Sequence, residues 1–215
     1  MTRHLVAIAA KARTFPGDQQ GTTIVEFALV LPVFLLLLFA LIDFGRLGFE
    51  YVMADKAMQL AARYAVARPP ACPGVPLINV RGAVAQGAVP PYYGTNCRSG
   101  ATVCVNPGTI TCVGATSNTT VAEIWTAISP LMPNNATAAN LSFTYAFDAN
   151  LGFLGGPYTP MVTVKTTGLS FQFATPLSAL AALATGQSND LPGSLPFPAM
   201  TVSLPAEDLA LGEAG

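Results

Sequence analysis

The side chains that ordinarily carry chemistry are few in this sequence. Histidine, the usual general base and metal ligand, occurs once, at His4. Four cysteines, Cys72, Cys97, Cys104 and Cys112, are separated by 24, 6 and 7 intervening residues. Without histidine nearby these intervals match no zinc spacing, and no C-x-x-C redox pair is present. Their even number points to two disulfides, with three connectivities open, and hence to an oxidising compartment. No phosphate-binding loop, G-x-S-x-G, H-E-x-x-H or EF-hand pattern occurs. The reading is therefore of a non-enzyme with no catalytic residue, no metal site and no cofactor. One acid stands out by position alone: Glu26 sits at the mouth of a long apolar run.

The bulk composition supports this direction. Of 215 residues, 52% are hydrophobic and only 10% charged, and the net charge is −1. A soluble globular domain carries roughly 25% charged residues. A chain so nearly neutral offers no electrostatic footprint for nucleic acid.

The apolar run explains the excess. Phe27 to Ile42 reads FALVLPVFLLLLFALI with no charge, and residues 22–45 form the full candidate span. As a helix rising 1.5 Å per residue it would reach about 36 Å, enough for a ~30 Å hydrocarbon core. A secretory signal has a shorter apolar region and a small-residue cleavage site, whereas here Asp43-Phe44-Gly45-Arg46 follows. The helical pattern then continues in amphipathic form, with Phe49, Tyr51, Met53, Met58, Leu60 and Ala61 among Arg46, Glu50, Lys56 and Arg63, until Pro69-Pro70 stops it. Gly45 and Gly48 are candidate points of flexure. Asp43 and Arg46, three apart, are placed to pair along the helix.

The stretch Gln20-Gly21-Thr22-Thr23-Ile24-Val25-Glu26-Phe27 followed by an unbroken apolar helix resembles the processing region of type IV pilins. The continuation through Asp43-Phe44-Gly45-Arg46 resembles the TadE-like family, the minor pseudopilins of the tight-adherence (Flp) pilus. The likeness runs from about Gly21 to Tyr51. It implies cleavage by a prepilin peptidase after Gly21, leaving Thr22 as the new N-terminus. It also implies a subunit-interaction role for Glu26 and Phe27, the glutamate pairing with the terminal amine of a neighbour. Phe27 stands where better-known relatives carry tyrosine. Opposite charges at the rim of a low-dielectric region attract strongly and offset each other's desolvation. Implied partners are other pilin-like subunits, pilus-assembly membrane proteins, the peptidase and the lipid bilayer. If uncleaved, residues 1–21 would remain as a cytoplasmic tail.

Basic residues hardly decide orientation: Arg3, Lys11 and Arg13 precede the span, while Arg46, Lys56 and Arg63 follow it. The cysteines, all beyond the span, place the C-terminal part in the bacterial periplasm, with the helix in the inner membrane or incorporated in a surface pilus.

The expected fold is α+β: a long N-terminal transmembrane and amphipathic helix, then a small antiparallel-sheet domain with short helices. The divisions are 1–21 leader, 22–45 span, 46–68 amphipathic extension, 69–114 a Cys/Pro/Gly-rich loop region, and 115–215 a strand-rich exported domain. Within the last, Val121–Ser129 reads as a helix. Leu141, Phe143, Tyr145 and Phe147 alternate as the buried face of a strand. Met161–Phe173 reads as a second, long strand whose parity switches at Gly168 through a bulge or turn. Met200, Val202 and Leu204 alternate again. Thr175-Pro176 followed by LSALAALAT and Gly186 predicts a short helix with Thr175 as N-cap. The sheet is expected to cover the amphipathic helix face over about Phe49–Ala65. Asn118, Asn135 and Asn140 fit the N-glycosylation pattern and are read as accidents of a Thr/Asn-rich surface. The rival to the pilin reading is a bitopic envelope protein whose exported domain binds a ligand or partner, with the helix as a simple anchor.

Overall fold

The computed structural model describes residues 22–177, 179–180, 194–207 and 209–210. It forms two compact units, one drawn from Met1–Arg46 and Gln172–Ser194, the other from Leu47–Phe171 and Leu195–Gly215. The expected α+β fold is observed: a long apolar helix followed by a small antiparallel sheet with short helices.

Helix α1 runs unbroken over Thr22–Ala67, through Gly45 and Gly48 and with Pro32 in its interior. It ends, as read, just before Pro69-Pro70. One group takes up a carbonyl left at this end and two more hold the carbonyls of the prolines just beyond it. The Glu207 N–H donates to Val66 O (3.0 Å), Thr120 Oγ1 to Pro69 O (2.8 Å) and Asn118 Nδ2 to Pro70 O (3.1 Å).

In the larger unit the buried stripe of α1 is Ala54, Ala57, Met58, Ala61, Ala62, Ala65 and Val66. The spacing of three and four is that of one helical face. The stripe begins later than expected. Phe49 and Val52 are exposed, and the buried positions are mostly alanines, whose small side chains permit close approach of neighbouring backbone.

Four strands follow in spatial order: β1 (Thr109–Val113), β2 (Leu141–Ala146), β3 (Met161–Thr166) and β6 (Thr201–Pro205), each antiparallel to the next. The register lines up Ile110, Tyr145, Val162 and Leu204 in one row, and Cys112, Phe143, Val164 and Val202 in the next. These rows are the parity the alternation indicated. Leu141, Phe143, Tyr145, Val162 and Val164 are fully buried. Strand β1 falls at the end of the segment read as loop.

Helix α2 (Thr119–Ile128) buries Val121, Ile124 and Ile128 and is capped by Asn118, whose side chain accepts from the Val121 N–H at 3.1 Å. Asn140 closes a second cap, accepting the Thr137 N–H at 2.8 Å. Two of the three apparent glycosylation asparagines thus serve as local backbone partners.

The long strand read over Met161–Phe173 is corrected: two strands occupy it. Strand β3 ends at Thr166, Gly168 takes φ +67°, and β4 (Ser170–Gln172) pairs instead with β5 (Ser194–Pro196). A left-handed residue between them turns the chain out of the first sheet, and glycine alone adopts it without steric cost.

The disulfides are Cys72–Cys112 and Cys97–Cys104. Cys97, Val103, Cys104 and Leu154 make a small separate core. The segment from Leu77 to Val105 is fastened to residues 152–158 and to itself by backbone bonds. Among them are Tyr158 N–H to Leu77 O, Leu154 N–H to Thr95 O and Val105 N–H to Val80 O, each 2.8 Å.

Candidate assembly and membrane interface

The N-terminal part of α1 presents apolar side chains almost all round. Ile24, Phe27, Leu29, Leu37 and Leu41 are each more than 60% exposed. An 18-residue window of the helix reaches a mean hydropathy of 2.8, none of it buried within the protein. This is one helix long and apolar enough to cross a membrane. An apolar surface this long, left in water, would cost far more than the marginal stability of a domain of this size. It therefore needs lipid or other helices around it.

Of the residues singled out in the sequence, Gly21 lies outside the described residues, as does the side chain of Thr22. Helix α1 begins at Thr22. Glu26 and Phe27 are both exposed on its second turn, and Glu26 is one helical turn beyond Thr22, on the same face. It is the only charged residue between Thr22 and Ile42. Glu26 and Phe27 belong to the smaller unit and the four cysteines to the larger one.

One polar site on this helix was underestimated. Asp43 has no exposed surface. Its carboxylate takes the expected contact from Arg46 Nη1 at 3.2 Å, but also accepts the N–H groups of Ala174 and Thr175 at 3.2 Å each, and a bond from the Thr175 hydroxyl. A carboxylate with several donors tolerates a low-dielectric setting that an isolated one would not. Beside it Phe44 meets Phe173 edge-on, the ring centroids 6.5 Å apart. The Thr175 hydroxyl donates to Asp43, and in the turn that follows the Leu180 N–H donates to Pro176 O at 3.0 Å. Residues 177, 179 and 180 are helical; the rest of the helix read over LSALAALAT lies outside the described residues. The available signal was an acid at the end of the span whose only local partner was Arg46.

Among the described residues these features amount to one exposed apolar helix, long and apolar enough to cross a membrane, with one acid near its start, continuing into a disulfide-bonded α+β unit. Comparison with protein families identifies residues 21–63 as matching the family described as TadE-like protein, in agreement with the resemblance. The match starts at Gly21 and covers the apolar part of α1 and most of its amphipathic continuation. No curated protein and no solved structure matches the chain.

Proposed function

We propose that this chain is a protein of the Tad (Flp) pilus system, a minor pseudopilin or pilus-assembly factor without catalytic function. The observation that carries the reading is the family match over residues 21–63 on a helix whose exposed apolar surface holds one acid, Glu26. In this reading a prepilin peptidase cuts after Gly21. The amine of Thr22 and the carboxylate of Glu26 on neighbouring subunits then pair at the membrane rim, where each offsets the other's desolvation. Phe27 and the apolar residues beyond it pack against other pilin-like helices. Residues 22–45 lie in the bacterial inner membrane, and the disulfide-bonded part is periplasmic, where oxidation is permitted.

The test is to replace residues 22–45 by an unrelated transmembrane helix and, separately, to make Glu26→Gln, and to follow pilus formation. Both changes disable assembly while the exported unit stays folded. Full assembly with the foreign helix would support the alternative, a bitopic envelope protein whose exported unit binds a ligand or partner. That alternative draws on Tyr92 and Tyr93, which are strongly exposed, with Arg81 stacked 5.0 Å from the Tyr93 ring centre.

A further inference from the structure

Phe27–Ile42 is not the only uncharged stretch that reaches into the smaller unit. Between Lys165 and Asp190 the sequence holds no charged residue. Part of that stretch is tied to α1 where the apolar run ends. The ties are the Asp43 carboxylate with the Ala174 and Thr175 amides, and the Phe44–Phe173 ring contact. After Thr175 the chain continues Pro176, Leu177, Ala179 and Leu180; Pro176 and Ala179 are exposed, and Leu177 and Leu180 are half-exposed.

We infer that residues 173–177, with 179 and 180, are a second membrane-contacting element of this protein, seated at the bilayer surface and anchored by Asp43. The inference rests on the reading of α1 as a membrane span. Three observations lead to lipid. The element is continuous with the exit of the apolar run, since its backbone is bonded to the residue that follows Ile42. Its described side chains carry no charge and, Thr175 apart, are apolar: Phe173, Ala174, Pro176, Leu177, Ala179 and Leu180. The Ala174 and Thr175 N–H groups and the Thr175 hydroxyl at its start are satisfied by Asp43, which lowers the cost of placing that backbone near hydrocarbon. Phe44 and Phe173 add apolar ring surface beside it, of the kind interfacial elements bury, and an element this short reaches only the headgroup and upper acyl region.

The test uses the full chain, natural disulfides intact, in phosphatidylcholine/phosphatidylglycerol vesicles. An environment-sensitive fluorophore is attached to a cysteine introduced at one site at a time: Ala179→Cys, Leu37→Cys within the span, and Lys165→Cys on β3. Nitroxide-labelled lipids and aqueous iodide serve as quenchers. At position 179 the expected result is quenching by shallow nitroxide and iodide quenching reduced about threefold from that at position 165. In an Asp43→Asn background the iodide quenching at 179 rises toward that at 165. Iodide quenching at 179 equal to that at 165, with deep-nitroxide quenching kept at 37, overturns the inference and leaves the span intact. Shielding at 179 from both quenchers also overturns it and points to coverage by protein. Loss of deep quenching at 37 overturns the span itself and the inference with it.

Discussion

The carboxylate of Asp43 accepts the backbone N–H of Thr175 at 3.2 Å across 132 residues of sequence. With the Ala174 amide and the Thr175 hydroxyl, this makes one buried acid the polar partner of a whole chain segment. Hydrogen bonds to a charged group contribute about 1.5–3 kcal/mol each. Asp43→Ala should therefore speed hydrogen exchange of the Ala174 and Thr175 amides by about 10- to 100-fold, since each 1.4 kcal/mol is tenfold. Thr175→Val removes only the hydroxyl and should have a smaller effect. Unchanged exchange in both variants would show that Asp43 does not hold this segment.

Two buried tyrosines have opposite hydrogen-bond situations. Tyr145 accepts the buried Ala71 N–H at 2.9 Å, whereas the Tyr158 hydroxyl is buried with no partner among the described residues, its ring stacked on Phe147. Tyr145→Phe orphans an amide and should cost about 1–3 kcal/mol in denaturant unfolding. Tyr158→Phe should cost little, because no protein bond is lost. The reverse order would contradict the assignment of the Ala71 bond.

The same tyrosines set a pH dependence. Burial pushes the Tyr158 phenol up to about 12, and burial raises Tyr145 as well, partly opposed by the Ala71 amide. A phenol raised in the folded state stabilises the fold fully below its unfolded value of about 10 and loses that contribution as pH rises through the folded value. For Tyr158, stability should therefore fall between about pH 10 and pH 12. The Tyr158→Phe variant should fall less steeply over this range. Absorbance of tyrosinate, followed alongside circular dichroism, would show whether its ionisation accompanies unfolding.

The disulfides close loops of unequal length, 40 residues for Cys72–Cys112 and 7 for Cys97–Cys104. On the chain-entropy account these are worth about 4 and about 2.4 kcal/mol. Thermal unfolding of the Cys72→Ala/Cys112→Ala pair should therefore show the larger loss. Cys112 also sits in the register row of Phe143, Val164 and Val202, so that pair additionally disturbs the sheet. Equal losses would mean that loop length is not what matters here.

How much of this was legible depended on how local the cause was. Helix α1 could be read because its apolar run and the Pro69-Pro70 stop are contiguous. Strands β2 and β3 could be read because Phe143, Tyr145, Val162 and Val164 alternate on a period of two. Strand β1 was hidden by its surroundings: Thr109–Val113 is a half-exposed edge strand inside a Pro- and Gly-rich stretch. Gly168 announced a change of direction but not a change of partner sheet, which depends on β5. Asn118 looked like a glycosylation signal because the same Asn-Thr-Thr letters also suit a helix cap. Thr175 suits an N-cap equally well, and only the fold brings Asp43 to its hydroxyl. The disulfide pairing followed from which loops meet, which cysteine spacing does not encode.

The central claim is that α1 enters a pilin pathway beginning at Thr22. It is tested most directly by the intact mass and N-terminal sequence of the protein from its native membrane, with and without the prepilin peptidase. The account predicts a chain beginning at Thr22 only when the peptidase is present. A chain that keeps the residues ahead of Thr22 in both cases would contradict it and leave α1 as a permanent anchor.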